Sequence, residues 1–337
     1  MNLKNKRLLL IGGAGLIGSH TVDELVKEDV TEIRIFDNMT RGTEENLKDA
    51  LKDPRVNIFS LGGDLMHRDI LDTAMKDIDG VFHFAALWLL HCWNYPRSAF
   101  EVNIAGTFNV LEAMINNNVE RLVASSSASV YGDAIEEPMT EDHPYNNTNF
   151  YGATKIAGEH MCRSLYHRYK ETNQAFDYVG LRYMNVYGSR QDYKGAYIAV
   201  IMEFLDRLDK GLPPIIYGDG SQAYDFINVV DCARANVCAM KADITDKFYN
   251  VGRGIRTTIK ELAELLLEIT GSTLDIQYEP AGMTFVKNRI GCPVRAREEI
   301  GFEAKIELHQ GLLDLIEWRK NHKAEVEQRR NEIGGSK

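Results

Sequence analysis

The chain has 337 residues, of which 44% are hydrophobic and 26% charged, and its formal net charge at pH 7 is −10. This length can bury one large core or two smaller ones. The acidic balance argues against general nucleic-acid binding, and no apolar run approaches the ~20 residues that span a bilayer, so we expect neither nucleic acid nor membrane as a partner. The five cysteines are scattered without a C-x-x-C pair, which predicts free thiols and no metal site. Residues 1–7 lead into the first predicted strand without an apolar leader, so we expect a cytoplasmic protein.

The first predicted strand ends in a glycine-rich turn that opens a helix over residues 16–27. The apolar run 8–11 is followed by glycines that satisfy both G-x-G-x-x-G and G-x-x-G-x-x-G, namely Gly12, Gly13, Gly15 and Gly18. Glycines let the backbone approach a ligand closely, and the start of a helix favours a pyrophosphate. The turn therefore predicts a dinucleotide site.

The second predicted strand, residues 33–36, ends at Asp37. An acidic residue about 20 residues after the glycines accepts hydrogen bonds from the adenosine ribose and favours NAD over NADP. Asn38 stands where a cation would suit a 2′-phosphate, although Arg41 is close in sequence.

Two more strands are predicted over residues 56–61 and 81–86. Asp64 follows the first of them, where it can contact the adenine amine, cap a helix over residues 65–75, or do both. His83 lies within the second, where we expect a packed histidine and not a catalytic base.

A helix over residues 101–116 and a strand starting at residues 121–124 continue the alternation, which predicts a Rossmann-like, doubly wound parallel sheet. Further strands are expected over 178–182, 213–220 and 226–231, and helices over 198–208, 233–240 and 258–270. We expect an NAD-binding domain over 1–180, with segments after 220 contributing. A smaller C-terminal α/β substrate domain is expected over 181–325, and a charged tail over 326–337.

Ser127, Tyr151 and Lys155 form the candidate catalytic group. Tyr151 and Lys155 are four residues apart, so they share one face of the helix that starts near residue 150. An ammonium and a cationic nicotinamide would lower the tyrosine pKa, so that the phenolate takes a proton from a sugar hydroxyl while hydride leaves the same carbon. Ser127 would bond the reacting oxygen.

With these motifs, the chain resembles the extended short-chain dehydrogenase/reductase family, in particular its nucleotide-sugar epimerase/dehydratase group. The matching stretches also include Gly63-Asp64-Leu65, His83 to Ala86, Gly106-Thr107, 125–132, 181–188 and 217–220 with Asp225-Phe226, and together they cover about residues 8–320. The resemblance implies bound NAD, a nucleoside-diphosphate sugar as substrate, and a homodimer in which two helices of each subunit, here 101–116 and 151–169, form a four-helix bundle.

The resemblance also assigns site residues. For the cofactor they are Gly12, Gly15, Leu16, Ile17, Gly18, Asp37, Asn38, Asp64, Leu65, Phe84, Ala85, Ala86, Leu87, Asn103, Ser125, Tyr151, Lys155 and Met184. For the substrate they are Trp88, Ser127, Asn185, Ile215, Tyr217, Tyr224 and Arg289. Asn185 and Arg289 would contact the diphosphate, and Ile215 and Tyr217 would flank the nucleoside.

The positions after Ser127 bear on the reaction. Dehydratases and decarboxylases of the family usually carry an acid there, but this chain has Ala128 and Ser129. The missing acid favours 4-epimerisation through a 4-keto sugar. The alternative reactions are 4-oxidoreduction and 4,6-dehydration. The non-enzymatic alternative is an NAD-sensing scaffold on the same fold.

Three residues depart from the family pattern. Tyr224 replaces a phosphate-binding arginine, Cys292 replaces an aspartate, and Trp88 replaces a smaller residue where the sugar should lie. A lost arginine contact typically costs about 1.5–3 kcal/mol, so the substrate grip should differ from the standard one.

Overall fold

The computed structural model describes residues 1–172, 176–191, 200–281 and 286–334, with side chains up to Gln328. The strands of this part of the chain are β1 (Arg7–Ile11), β2 (Glu32–Phe36), β3 (Val56–Ile58), β4 (Gly80–His83), β5 (Arg121–Ser127), β6 (Asp177–Tyr183), β7 (Asn185–Tyr187), β8 (Ile215–Tyr217), β9 (Ala223–Tyr224), β10 (Phe226–Asn228), β11 (Lys247–Val251), β12 (Thr257–Thr258), β13 (Gln277–Glu279) and β14 (Asn288–Arg289).

The helices flank these strands in sequence and in space. They are α1 (Leu16–Val26), α2 (Arg68–Ala74), α3 (Leu89–Asn94), α4 (Pro96–Ala99), α5 (Thr107–Asn116), α6 (Phe150–Lys170), α7 (Val200–Asp209), α8 (Val229–Lys241), α9 (Ile259–Thr270), α10 (Val294–Ile300), α11 (Leu308–Asn321) and α12 (Lys323–Gly334). No helix of the described ranges is long and apolar enough to cross a bilayer.

Seven parallel strands form the main sheet in the order β11-β6-β5-β4-β1-β2-β3. The chain runs outward from β1 to β3 and then returns to β4 on the other side of β1. In sheets of this kind, ligands bind in the crevice beyond the carboxyl ends of the strands where the order reverses. That crevice lies between the ends of β1 and β4, and the sheet confirms the predicted Rossmann-like class.

The sheet is covered on both faces because its strands are apolar on both sides. In β1, Leu8 and Leu10 pack into one buried cluster, while Leu9 and Ile11 pack into the other. Successive side chains of a strand point to opposite faces, so a continuous apolar run suits a strand buried between helix layers. A third cluster, built largely from α7, α9 and α11, forms the core of the C-terminal part.

Several element boundaries differ from the prediction. The third strand ends at Ile58. The fourth ends at His83, because the backbone N–H groups of Phe84 and Ala85 both turn to the Ile11 carbonyl, at 2.8 and 3.1 Å. The helix expected over 101–116 is π-helical over Phe100–Gly106 and α-helical only from Thr107. Of the helix expected over 198–208, residues 198 and 199 lie outside the described ranges.

The C-terminal part carries three small sheets, β7 with β10, β8 with β13, and β9 between β12 and β14. It also returns to the main sheet, because β11 pairs with β6 and α8 packs on α1. Residues 326–334 of the charged tail belong to α12, and residues 335–337 lie outside the described ranges.

Candidate active site

The glycine turn brings the backbone of β1 close to the loop after β4. Gly12 has a φ of +80°, and a Cβ there would lie 2.7 Å from the Ala85 nitrogen. A Cβ on Gly18 would lie 2.3 Å from the Gly12 carbonyl oxygen, so only glycine lets α1 approach the turn this closely. Gly15 is the N-cap of α1, and Leu16, Ile17 and Gly18 form its first turn. This turn fits the pyrophosphate of a dinucleotide, because the free N–H groups of a helix start attract an anion.

Asp37 ends β2 beside the same turn. Its two carboxylate oxygens accept hydrogen bonds from the Ala14 and Met39 N–H groups, each at 2.9 Å, and burial raises its pKa. Each oxygen retains a second lone pair for a ribose hydroxyl, which fits the predicted role. The neighbouring Asn38 accepts a hydrogen bond from the Thr40 N–H at 3.1 Å.

Asp64 does not cap a helix, so that prediction is wrong. Its side chain accepts a hydrogen bond from the Met66 N–H at 2.9 Å, and α2 begins only at Arg68 with His67 at the N-cap position. Asp side chains often bond a backbone N–H two residues on, which competes with helix formation. Leu65 is buried, and its side chain packs against Gly106.

Asn103 fixes the loop that follows β4. Its side-chain oxygen accepts from the Leu87 N–H at 2.7 Å, and its amide donates to the Leu87 carbonyl at 3.0 Å. Asn103, which the resemblance assigned to the cofactor, thus holds a half-buried stretch of the loop across the crevice from the glycine turn. That stretch is Phe84, Ala85, Ala86 and Leu87.

Trp88 comes next, at the N-cap position of α3, and it is stacked by Arg41. The Arg41 guanidinium carbon lies 4.3 Å from the centre of the Trp88 ring, and the His91 ring packs at 5.0 Å on the same indole. Arg41 belongs to the loop after β2 and Trp88 to the loop after β4, so the stack crosses the end of β1 between them. Nothing in the sequence pairs these two residues.

Ser127, Tyr151 and Lys155 meet at the end of β5. The Ser127 side chain lies close enough to the Tyr151 hydroxyl to lower its pKa, and the Lys155 ammonium lies 5.7 Å from the centre of the Tyr151 ring. The same ammonium donates to the Ser125 carbonyl oxygen at 2.9 Å. Asn149 caps α6 by accepting from the Gly152 N–H, which fixes the start of the helix that carries both residues.

Burial raises the pKa of Tyr151 to about 12, although the Ser127 side chain and the charges of Arg41 and Arg289 lower it. Burial lowers the pKa of Lys155 to about 8. The expected lowering of the tyrosine pKa includes the charge of a nicotinamide cation, so it stays a prediction for the protein with NAD bound.

The substrate residues expected from the C-terminal part fall into two groups. Arg289 on β14 pairs directly with Tyr224 on β9, and its charge reaches Tyr151. The Tyr224 hydroxyl donates to the Val286 carbonyl at 2.8 Å. Asn185, at the start of β7, donates its backbone N–H to the Asp225 carbonyl at 2.9 Å.

The remaining residues of that part lie on either side of these strands. Met184 is buried against Gly252 and Gly291. Ile215 and Tyr217 lie in the separate β8–β13 sheet. Among the described residues, neither of them is hydrogen-bonded to Ser127, Tyr151 or Lys155.

Two further buried residues lie near the group. His83 bonds the Thr107 hydroxyl through Nε2 at 3.0 Å, and burial lowers its pKa to about 3, so it is a neutral, packed histidine as expected. Glu159 lies one turn beyond Lys155 on α6 and is buried against Arg182 of β6. Its spacing from Lys155 was the only signal for it in the sequence. Among the described residues, no cluster of three or more His, Cys, Asp or Glu side chains could hold a metal ion.

Comparison with known proteins decides the family. Residues 8–252 match the model of the NAD dependent epimerase/dehydratase family. This chain belongs to that family. The family confirms the resemblance seen in the sequence, the enzyme class and NAD as the cofactor, and the residues of the glycine turn and Asp37 fit that cofactor.

Relatives of the family cover nearly the whole chain. UDP-glucose 4-epimerase from Bacillus subtilis is 30% identical over 94% of this chain and 97% of its own length. The solved UDP-N-acetylglucosamine 4-epimerase from Methanobrevibacter ruminantium, in complex with UDP-N-acetylmuramic acid, is 32% identical with a TM-score of 0.86, covering 95% of this chain and 99% of its own. The Thermus thermophilus UDP-glucose 4-epimerase complex with NAD is 30% identical with a TM-score of 0.81, covering 93% and 99%. Other family relatives are named as a dehydratase and a decarboxylase.

Proposed function

We propose that this chain is an NAD-dependent UDP-sugar 4-epimerase. The observation that carries the proposal is the Ser127, Tyr151 and Lys155 group at the crevice, in which the buried Ala128 follows Ser127. The pattern of the family's dehydratases and decarboxylases has an acid at that position. Dehydration or decarboxylation needs a further acid or base at the sugar, whereas epimerisation does not.

The residues divide the reaction between them. NAD, held by the glycine turn and Asp37, would supply a reversible hydride acceptor for C4 of the sugar. Tyr151 takes the proton from the C4 hydroxyl and gives it back to the ketone oxygen, while Ser127 holds that oxygen. The ammonium of Lys155 stabilises the phenolate, which the high pKa of the ligand-free phenol requires.

Charge placement supports a diphosphate substrate. Arg289 faces the phenol from β14, and Asn185 lies at the start of β7. Tyr224 adds a hydroxyl beside Arg289, where the family pattern has a second arginine. We infer that Arg289 and Asn185 bind the diphosphate and that Tyr217 and Ile215 flank the nucleoside. The cytoplasmic location expected from the sequence stays a prediction.

The test is to incubate the purified protein with UDP-, GDP-, dTDP- and CDP-sugars. NMR identifies the products, and absorbance of NADH is recorded alongside. Inversion at C4 of UDP-glucose, UDP-galactose or their N-acetylated forms, without net NADH, is the expected result. Lasting NADH with a ketosugar, or loss of water, would move the protein to the oxidoreductase or dehydratase class.

Tyr151→Phe tests the assigned base. We expect turnover to fall by about 10²–10⁴-fold, because the variant lacks the proton acceptor, while the NAD content of the purified protein stays unchanged. NMR turnover and the absorbance of extracted NAD measure the two effects. A variant that keeps full biological activity would favour the NAD-sensing scaffold instead.

We also propose a homodimer through the stretch that starts at Phe100, together with α6. Phe100 and Phe108 are 44% and 40% exposed on this stretch, and the exposed apolar surface needs a cover. We expect Phe108→Glu to yield monomers in sedimentation velocity, because it buries a charge in the interface. Leu313→Glu, at an exposed position of α11, is the matched control and should leave the dimer intact. Wild-type protein that sediments as a monomer would contradict the proposal.

A further inference from the structure

Three consecutive serines of β5 meet three side chains on successive turns of α6. The pairs are Ser127 with Tyr151, Ser125 with Lys155, and Ser126 with Glu159. Ser126 and Ser127 take part through their side chains, and Ser125 through its backbone carbonyl. Side chains four residues apart lie on one face of a helix, so this face packs on the end of the strand. The first two pairs belong to the proposed chemistry, and the third lies behind them.

The third pair is buried and strongly bonded. The Ser126 hydroxyl donates to Oε1 of Glu159 at 2.5 Å, and the Tyr145 hydroxyl donates to Oε2 at 2.7 Å. Arg182 of β6 donates to the same two oxygens at 2.8 and 2.6 Å. The side chains of Glu159 and Arg182 are only 3% and 5% exposed. Such a carboxylate has little freedom, because each oxygen accepts two hydrogen bonds.

Arg182 is itself held in place from several sides. Its guanidinium donates to the Tyr131 hydroxyl at 2.8 Å and to the Glu141 carbonyl at 2.9 Å. Aromatic rings surround it, with the Tyr131 and Phe248 centres 5.0 and 5.6 Å away. A bidentate arginine–carboxylate pair fixes orientation as well as distance. The pair therefore ties α6 to both β5 and β6 just behind the catalytic residues.

We propose that Glu159 is a positioning residue for the catalytic pair: held by Ser126 and Arg182, it fixes the register of α6 on β5 and keeps the Lys155 side chain charged beside Tyr151. The catalytic part of this inference rests on the proposed epimerase function. A shift of about 1 Å in a reacting group can cost on the order of 10²-fold in rate, so the register of α6 matters for turnover.

The charge of Glu159 acts on Lys155 in a defined direction. Burial lowers the pKa of Lys155 to about 8, while Cys92 and Glu159 raise it. The groups that face the ammonium are His83 on β4, Cys92 on α3, and Tyr151 and Glu159 on α6 itself. Removing the Glu159 charge should lower the Lys155 pKa further, so the ammonium is lost at a lower pH.

Glu159→Gln is the direct test. Competitive labelling of the ligand-free protein with acetic anhydride over a pH series, followed by mass spectrometry of the Lys155 peptide, gives the Lys155 pKa without any substrate. We expect that pKa to fall, turnover of UDP-galactose to fall by on the order of tenfold to a hundredfold, and the alkaline limb of its pH profile to move to lower pH. A failure of the wild-type protein to epimerise UDP-galactose would count against the proposed function but leave the labelling result valid.

Two further variants keep the test decisive if Glu159→Gln does not fold. Replacing both partners, Glu159→Met with Arg182→Met, removes the buried ion pair without leaving a lone charge, and such replacements are often neutral for stability. Ser126→Ala removes one hydrogen bond and leaves the ion pair in place. We expect lower turnover in each.

A matched control distinguishes an effect on the position of the catalytic residues from a general loss of stability. Asp206 and Arg319 form another buried ion pair, at 2.7 Å, within the C-terminal core and away from the crevice. Asp206→Asn should lower the melting temperature and leave the Lys155 labelling and the pH profile unchanged. Folded Glu159 variants, or Ser126→Ala when those do not fold, with wild-type turnover and wild-type labelling of Lys155 would overturn the proposal.

Discussion

Arg41 and Trp88 join two loops that the main sheet holds on opposite sides of β1. The guanidinium carbon lies 4.3 Å from the centre of the indole ring. Because the glycine turn lies at the end of β1, between the two loops, we expect a bound dinucleotide to contact these two side chains. At the scale of single residues, we therefore propose that this stack helps to retain the cofactor.

Arg41→Ala should weaken cofactor binding. Cation–π contacts contribute about 0.5–2 kcal/mol, so the Kd for NAD should rise between about twofold and thirtyfold. Isothermal titration of protein stripped of NAD measures it. Arg68→Ala removes a surface arginine that pairs with Glu112 and serves as control. An unchanged Kd in Arg41→Ala would show that the stack does not act on the cofactor.

Single residues also show how much of the candidate site could be predicted from the sequence. Spacing alone made Asp37, Tyr151 and Lys155 candidates, because those positions follow from the period of a helix or the end of a strand. It could not find the stack of Arg41 on Trp88 or the pairing of Glu159 with Arg182. Both join residues that are distant in the chain, and only the assembled sheet brings them together.

At the scale of elements, the turn between β1 and α1 depends on two glycines in different ways. Gly18 sits where a Cβ would meet the Gly12 carbonyl oxygen at 2.3 Å, whereas a Cβ on Gly15 would lie at 3.4 Å, an ordinary contact. Gly15 also has a φ of −74°, which any residue adopts. Gly18 therefore allows α1 to pack closely on the turn, whereas Gly15 lies at the start of the helix, where the ligand is expected to bind.

Gly18→Ala should destabilise the protein by about 1–3 kcal/mol, the range for overpacking, because α1 must move off the turn. Gly15→Ala is the matched control and should keep the wild-type melting temperature, even if its methyl group disturbs the bound cofactor. Differential scanning calorimetry of the two variants decides this. Equal loss of stability in both would mean that the close approach of α1 is not what Gly18 provides.

Element types were easier to predict than element ends. The alternation of apolar strands and amphipathic helices predicted a doubly wound parallel sheet, since each run is long and periodic. The ends of β4 and the start of α2 were misplaced, because hydrogen bonds to Ile11 and Asp64 stop the regular pattern there. Such bonds depend on three-dimensional neighbours or on a local turn that competes with the helix.

At the scale of the whole molecule, buried neutral histidines couple stability to pH. Burial lowers the pKa of His83 and of His20 to about 3 from the usual 6.5. Below the ordinary pKa the unfolded chain binds protons that the folded chain does not, so their stabilisation is complete above 6.5 and is lost as the pH falls towards 3. Asp225, whose pKa burial raises to about 6, acts in the opposite direction.

His83→Gln isolates one of these contributions. Between about pH 7 and about pH 5, wild-type protein should lose roughly 2 kcal/mol more unfolding free energy than the variant, as measured by urea denaturation at both pH values. His309→Gln replaces an exposed histidine and should follow the wild type. A His83→Gln variant with the same pH dependence as the wild type would mean that His83 keeps an ordinary pKa in the folded protein.

The outer strand of the main sheet has a consequence for synthesis of the protein. β11 is formed by Lys247–Val251, late in the chain, and it covers the edge of β6. While a ribosome is still making the C-terminal half, β6 presents an unpaired edge that can pair with another nascent chain. The sheet of the dinucleotide domain therefore stays incomplete while the domain emerges. The β6 edge is protected only after the ribosome has released the chain to about residue 251, nearly three quarters of its length.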